Sequence, residues 1–569
     1  MASLSRALCI TKVRGLISSV LIVALVYGRA LKFGFTRFQE EKLAVAMGAT
    51  DLAGVWNGLL LNLSHISPGE SGFSPLWRPT VNVVYLFAGW LGEGEAWSFR
   101  LLSIFFLIGI CWSARRMLGR RMGRDLVLML IAFHPMMTAA VLDVMAMPEL
   151  LLCFFAVCAV TTEGRWSFLW TLLAIGAHEA GAIIPLISMG LSWDASGKKR
   201  DDKRWIIPLS AVVCWWAMLG LLGMMGALEP QAVSIPEWGA VMGAAAQACF
   251  YLGRLVVPFS PVFARTAPEF EAPWIGLAWV AVLGVLWISI RGKIPREKPI
   301  GPGFAAGLSC IVLALLATGG VLSHVPGYGE GRLALPIVGL AWLLASRPTV
   351  RVAGWTLVPV FAALALMRVG VWADPLQLWA ESHKERPRDS MVSLEYGQRL
   401  LTTEPNRTVG LMDQVLTDSA DPKQRYLAHI ASIQAWFDLG NERKALPHLA
   451  ATADPDQEED GWILVRRCIL ETRYSVDEAA YPVGTVLSPL VRVCTEAANR
   501  YPKHARLANA AGVEAAIRGD SAKALFYLQR AVEMAPTNLE YRKSFSRIPM
   551  NILGFSSDGV FSPDPAAAP

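Results

Sequence analysis

The chain has 569 residues, of which 54% are hydrophobic and only 17% charged. Soluble globular chains carry about 25% charge, so a wholly soluble, disordered or disulfide-scaffold protein is excluded, and the length divides into a polytopic membrane part and an attached soluble part. The formal net charge of +6 sits mostly in short turns; it bears on membrane orientation, and nucleic acid is not an expected partner.

A bilayer core takes about 20 apolar residues as a helix. In chain order, spans are expected near residues 15–31, 97–114, 125–142, 148–163, 205–226, 273–291, 301–322, 333–346 and 352–370. The apolar run 166–193 is interrupted by Ala-His-Glu-Ala-Gly, and a polar pair at mid-run divides it into two short helices, 166–178 and 180–193, meeting at His178 and Glu179. The total is about eleven spans, an all-α membrane bundle over residues 1–370. The first span reads as an uncleaved anchor: Arg29 and Lys32 stand where a signal-peptide cleavage site belongs. Residues 32–96 form a long outer loop. Residues 227–272 form an interfacial segment, because Arg254 and two prolines interrupt its apolar stretch.

Loop charge sets the orientation. The segments Arg-Arg-Met-Leu-Gly-Arg-Arg-Met-Gly-Arg at 115–124, Asp-Ala-Ser-Gly-Lys-Lys-Arg-Asp-Asp-Lys-Arg at 194–204 and Arg-Gly-Lys-Ile-Pro-Arg-Glu-Lys at 291–298 are basic, whereas the loops between them are poor in Lys and Arg. Basic loops stay in the cytoplasm. With the N-terminus cytoplasmic and an odd number of spans, residues from 371 onward lie outside. That places the C-terminal region in a bacterial periplasm, or in the endoplasmic reticulum lumen of a eukaryote.

From about residue 371 the chain becomes charged and Ala-rich. In the segment beginning at Ala505, the positions Ala508, Ala511, Gly512, Ala515, Ala524, Leu528, Ala531 and Pro536 follow the 34-residue tetratricopeptide spacing. Small residues let the two helices of a repeat touch, Gly519-Asp520 turns between them, and Pro536 ends the second helix. Weaker copies run over 426–459 and 390–424. Such units bury a core only by stacking, so 371–550 is expected to be a tetratricopeptide-like α-solenoid that binds protein partners, and 551–569 a disordered tail. Cys468 and Cys494 are the two cysteines there; they form either a disulfide or two buried thiols.

Five strings resemble the membrane O-glycosyltransferases of the C-type superfamily that carry C-terminal tetratricopeptide repeats. They are Ser-Pro-Leu-Trp-Arg-Pro at 74–79, Ala-Phe-His-Pro…Glu-Leu-Leu at 132–151, Gly-Ala-His-Glu-Ala-Gly…Pro-Leu at 176–186, Gly-Glu-Gly-Arg-Leu-Ala-Leu-Pro at 329–336, and Trp-Ala-Asp-Pro-Leu-Gln-Leu-Trp at 372–379. The resemblance implies an inverting transfer of a sugar from a polyprenyl-phosphate donor to a hydroxyl of an exported protein or glycan. It implies no metal and no cofactor beyond that lipid-linked substrate.

Such a transfer needs a base for the acceptor proton and cationic or donor groups for the leaving phosphate. By resemblance the base is an acid soon after the first span, here Glu40 or Glu41. The donor phosphate falls to His178, Arg332 and Arg78, with Asp143, Glu149, Glu179 and Glu330 in support. The topology independently sends these residues to one outer face, and ionisable groups at the edge of spans are costly enough to mark a site. Plainer readings exist: a membrane-lying helix face for Glu40 and Glu41, a helix-end cap for His178, a snorkelling cation for Arg332, and, favoured over phosphate binding, a turn residue held by Pro79 for Arg78. The sequence also departs from the pattern. Ala139 stands where the family has Glu, Met147 where it has Arg, and His178 where it has Lys. These departures open a second reading, a non-catalytic membrane scaffold or subunit whose repeats recruit partners.

Overall fold

The computed structural model describes residues 2–36, 78–118, 121–192, 205–224, 251–255, 302–316, 330–346, 348–419, 421–452, 493–500, 505–517 and 520–534, with isolated positions such as 40, 43, 44 and 47 between them. Among these residues every regular element is a helix, α or 3-10. They fall into two compact units, Met1–Arg399 and Leu400–Pro569.

The first unit contains α1 (Ala2–Tyr27), α2 (Pro79–Gly92), α3 (Ala96–Ala114), α4 (Arg121–Phe133), α5 (Met137–Leu142), α6 (Met147–Thr161), α7 (Arg165–Ala177), α8 (Ile184–Ser192), α9 (Ile206–Met224), α10 (Pro302–Leu316), α11 (Ala334–Ser346), α12 (Pro348–Val371), α13 (Pro375–Glu385) and α14 (Ser390–Leu400). Four stretches, Gly15–Lys32, Ala96–Met117, Val144–Thr161 and Val350–Val371, are long and apolar enough to cross a bilayer, and three apolar helices are shorter. Their outward faces are apolar: Leu25 is 74% exposed, and Val352 and Met367 are 67% exposed. A soluble protein rarely leaves so much contiguous apolar surface in water; a bilayer covers it without loss. The expected span 273–291, most of the interfacial segment and the tail 551–569 lie outside the described residues.

The interior is tied by few but specific polar contacts. The Trp342 indole donates to the Ala114 carbonyl at 2.9 Å, and Tyr27 Oη donates to the Ala132 carbonyl at 3.2 Å. The buried Arg368 donates through Nε to Thr138 Oγ1 at 2.9 Å. Of the expected interfacial segment, residues 251–255 are helical; Tyr251 and Leu255 are buried, and the Leu255 carbonyl is 3.1 Å from His134 Nε2. This stretch is packed against the bundle.

The predicted break at His178 is present. Helix α7 ends at Ala177, and a 3-10 turn, Glu179–Ile183, leads into α8. The compositional change at 371 is not where packing ends. Asp374 caps α13, accepting from Leu376 N at 2.9 Å, and the buried Trp379 indole donates to the Thr36 carbonyl at 2.8 Å. Helix α13 is therefore part of the first unit.

The second unit contains α15 (Pro405–Asp418), α16 (Pro422–Asp438), α17 (Leu446–Ala451), α18 (Val493–Arg500), α19 (Ala505–Ile517) and α20 (Ser521–Met534). Neighbouring helices pack in sequence order, α15 on α16, α18 on α19 and α19 on α20. The α19–α20 pair has the contact expected from its small residues. Ala508 and Ala531 form its core, and a Cβ at Gly512 would lie 2.8 Å from Leu528 Cδ2. Asp520 opens α20, accepting from Lys523 N at 3.2 Å. Gly519 and Pro536 lie outside the described residues. Cys494 is disulfide-bonded, which excludes a free thiol there; Cys468, its partner in one of the two readings, also lies outside them.

Candidate functional site

The polar groups of the first unit collect at one end of α3. This helix carries Arg100 near its start and Arg115 just past its end. Fifteen residues at 1.5 Å per residue separate them by about 22 Å. At the far end Arg115 binds the Gly15 carbonyl and Asp125. At the near end Arg100, fully buried, donates through Nη1 to the Phe33 carbonyl, through Nη2 to the Gly34 carbonyl at 2.6 Å, and through Nε to the Leu142 carbonyl at 3.4 Å. Glu40 and Asp143 are the negative charges acting on it.

Glu40 is fully buried. Its Oε2 accepts from Thr36 N at 2.6 Å and from Thr36 Oγ1 at 3.0 Å; its Oε1 accepts from Val144 N at 2.8 Å. The carboxylate thus stitches the segment after the first span to the turn after α5. Two further bonds close the same junction. Tyr85, buried on α2, donates to the Val144 carbonyl at 2.7 Å, and Asp143 Oδ1 accepts from Met145 N at 3.0 Å. Tyr85 lies within electrostatic reach of Glu149, Asp143, Glu40 and Arg78 together, so these side chains form one cluster. Glu41 lies outside the described residues, and Glu330 is described only in its backbone.

The second part of the cluster comes from the α7–α8 break and the start of α2. Arg78 Nη2 donates to Glu179 Oε2 at 2.9 Å and to Oε1 at 3.2 Å, and both side chains are about nine-tenths buried. His178 Nδ1 accepts from Ala180 N at 3.1 Å, capping the 3-10 turn, and lies 3.5 Å from Glu179 Oε2. Helix breaks that expose backbone amides inside a bundle are tolerated only where protein or a cavity satisfies them; here the His178 ring does so.

The third part is a close approach. The 3-10 turn Glu330–Leu333 packs on α5, and a Cβ at Gly331 would stand 2.8 Å from the Ala146 Cβ. Only glycine allows the turn this near. It carries Arg332 to Glu149, which lies in the first turn of α6; of the charges acting on Glu149, Arg332 is the strongest, followed by Arg78. Glu149 Oε2 is sealed from solvent and meets no hydrogen-bond donor among the described residues. The positions of sequence departure, Ala139 and Met147, are both buried and filled by packing.

The described site residues therefore converge, but with unequal freedom. Glu40, Asp143, Arg78, Glu179 and His178 are each engaged in the bonds above, and Glu149 keeps an unmet acceptor. Sequence reasoning passed over Arg100 and Tyr85. Arg100 had a legible signal, a cation four residues into an apolar run; Tyr85 had none. Among the described residues no group of three or more His, Cys, Asp or Glu side chains is arranged to hold a metal ion. No known protein family matches the chain, and no curated protein is found similar to it.

Proposed function

We propose that this chain is an integral-membrane glycosyltransferase. It moves a sugar from a polyprenyl-phosphate donor to a hydroxyl of an exported protein or glycan, on the outer face of a bacterial inner membrane or its endoplasmic reticulum equivalent. One observation carries the reading. Two arginines beyond Arg100, several acids and a histidine gather at the end of the bundle away from Arg115, where each is costly beside lipid. A donor with an anionic phosphate and an acceptor with a proton to lose need that mixture of charges. The bonded Cys494 supports an oxidising compartment for the second unit, and its paired helices support a repeat array that presents or binds the acceptor protein.

The test is direct. The full chain, purified in detergent, is supplied with a tritiated polyprenyl-phosphate sugar pool and a membrane extract of exported proteins. Sugar released from the lipid and attached to protein or lost to water is the expected result. A donor pool that stays intact in the presence of the chain, under conditions where the lipid is soluble, removes the enzyme reading.

A scaffold is the second reading. It is favoured by the bonds that hold Glu40 to Thr36 and Val144 and Arg78 to Glu179, and by the apolar filling at Ala139 and Met147. In that case the chain binds partners through its C-terminal helices and leaves the donor untouched.

A further inference from the structure

Within the glycosyltransferase reading, on which this inference rests, we propose that Glu149 and not Glu40 is the group that takes the acceptor proton, and that Glu40 is a brace. The reason is the state of the lone pairs. Both oxygens of Glu40 are occupied by three donors from Thr36 and Val144. Two of those donors are backbone amides, which cannot turn elsewhere without unmaking the junction between the first outer segment and the turn after α5. Glu40 is also fully buried, so an acceptor hydroxyl could reach it only by opening this junction.

Glu149 is the opposite case. Its Oε2 is buried without a donor among the described residues, while the residue as a whole keeps partial exposure. A buried acceptor of this kind needs an explanation, and a catalytic role is one. The group is also placed for the work. Arg332 is brought to it by the Gly331 approach, and Arg78 acts on it second. A cation beside the base is what a reaction that creates phosphate charge requires. Arg78 is bonded to Glu179, and Arg332 is the stronger of the two cations acting on Glu149.

The step balances as follows. The acceptor oxygen forms a bond to the anomeric carbon of the sugar. The bond from that carbon to the phosphate oxygen breaks, and its electron pair leaves on the polyprenyl phosphate. The acceptor proton moves to the Glu149 carboxylate. Attack opposite the leaving group inverts the anomeric centre.

The experiment uses the full chain in detergent, a tritiated polyprenyl-phosphate hexose, and water as the acceptor, so that the natural acceptor need not be known. Three quantities are read: donor retained on the protein, hexose released, and thermal stability. For Glu149→Gln, release falls at least about 100-fold, the range expected for losing a general base, while retention stays within threefold of the parent chain. Glu149→Asp, which keeps a carboxylate, restores part of the release. Release by Glu149→Gln at the parental rate overturns the assignment and leaves the glycosyltransferase reading standing. Loss of retention together with release also overturns it, since Glu149 is then a binding or structural group. A parent chain that neither retains nor consumes the donor removes the glycosyltransferase reading itself, and this assignment with it.

Discussion

If Glu40 is a brace, its value is conformational and is coupled to Arg100. Replacing Glu40 by Gln keeps the shape but puts an amide NH2 against either Thr36 N or Val144 N, both of them donors. One buried backbone amide loses its acceptor, which costs about 1–3 kcal/mol. The Arg100 guanidinium also loses a counter-charge in a site without solvent. The expected loss is about 3 kcal/mol. Arg100→Met removes the donor to the Phe33, Gly34 and Leu142 carbonyls and leaves Glu40 as an uncompensated buried charge, with an expected loss of about 3–5 kcal/mol.

The double variant removes both charges at once. It is expected to be about 2 kcal/mol more stable than the sum of the two single losses, within the range seen for residues in one network. The measurement is unfolding of the full chain in mixed micelles titrated with a denaturing detergent, read by Trp fluorescence and repeated for all four members of the cycle. Additive losses, or single losses under about 1 kcal/mol, would refute the bracing of the outer segment by this pair. Donor retention in the same samples separates the two roles, because a brace weakens binding and release together.

Four shorter predictions follow from other contacts. His429 and His448 lie with Nδ1 atoms 3.0 Å apart and ring centroids 5.3 Å apart; one neutral ring donates to the other. Burial, then His448, then Arg425 hold His429 down to about 4, and burial lowers His448 against the pull of Asp413. The unfolded chain therefore binds more protons between about pH 6.5 and pH 4. Stability of the second unit is full above that window and falls as pH drops through it; amide exchange in α16 and α17 reports the change, and a flat profile rejects the shared-proton pair. Gly512→Val drives a branched side chain into Leu528 and should cost about 1–3 kcal/mol in thermal unfolding of the second unit; an unchanged transition means that the two helices do not touch there. Cys494→Ser should cost about 2–4 kcal/mol, and thiol counting on the unfolded, unreduced full chain should show one more reactive cysteine than the parent; an unchanged thiol count argues against the bond. Finally, with the exposed Cys214 replaced by Ser, single cysteines at positions 116 and 434 should react with an impermeant maleimide from opposite sides of sealed vesicles, and labelling from the same side rejects the proposed orientation.

The helical architecture was legible because its signals are lengths and compositions. Apolar runs of span length, a polar pair at 178–179 that breaks one of them, and small residues at repeat spacing all follow from local chemistry. What failed to show was packing that composition does not mark. The chain turns polar at 371, yet α13 belongs to the first unit because the buried Trp379 reaches the Thr36 carbonyl. A tryptophan in an amphipathic helix gives no hint of a partner 343 residues away. Arg100 was absorbed into an apolar window because averaging over a span hides one cation, although that cation is the costliest residue in it.

The site divides on the same line. Several of the residues singled out by motif order lie at helix ends: Arg78 precedes α2, Asp143 follows α5, Glu149 opens α6 and His178 follows α7. Motif order ranks Glu40 first for chemistry, but position after the first span says nothing about which acceptors the fold fills. Glu40 lies beside two backbone amides that a turn and a loop leave exposed, and a carboxylate so placed becomes their acceptor. Glu149 lies where α6 has just begun, and its Oε2 has no donor among the described residues. A resting protein tolerates an unmet buried acceptor only against a cost, and under the proposed assignment an incoming hydroxyl relieves that cost.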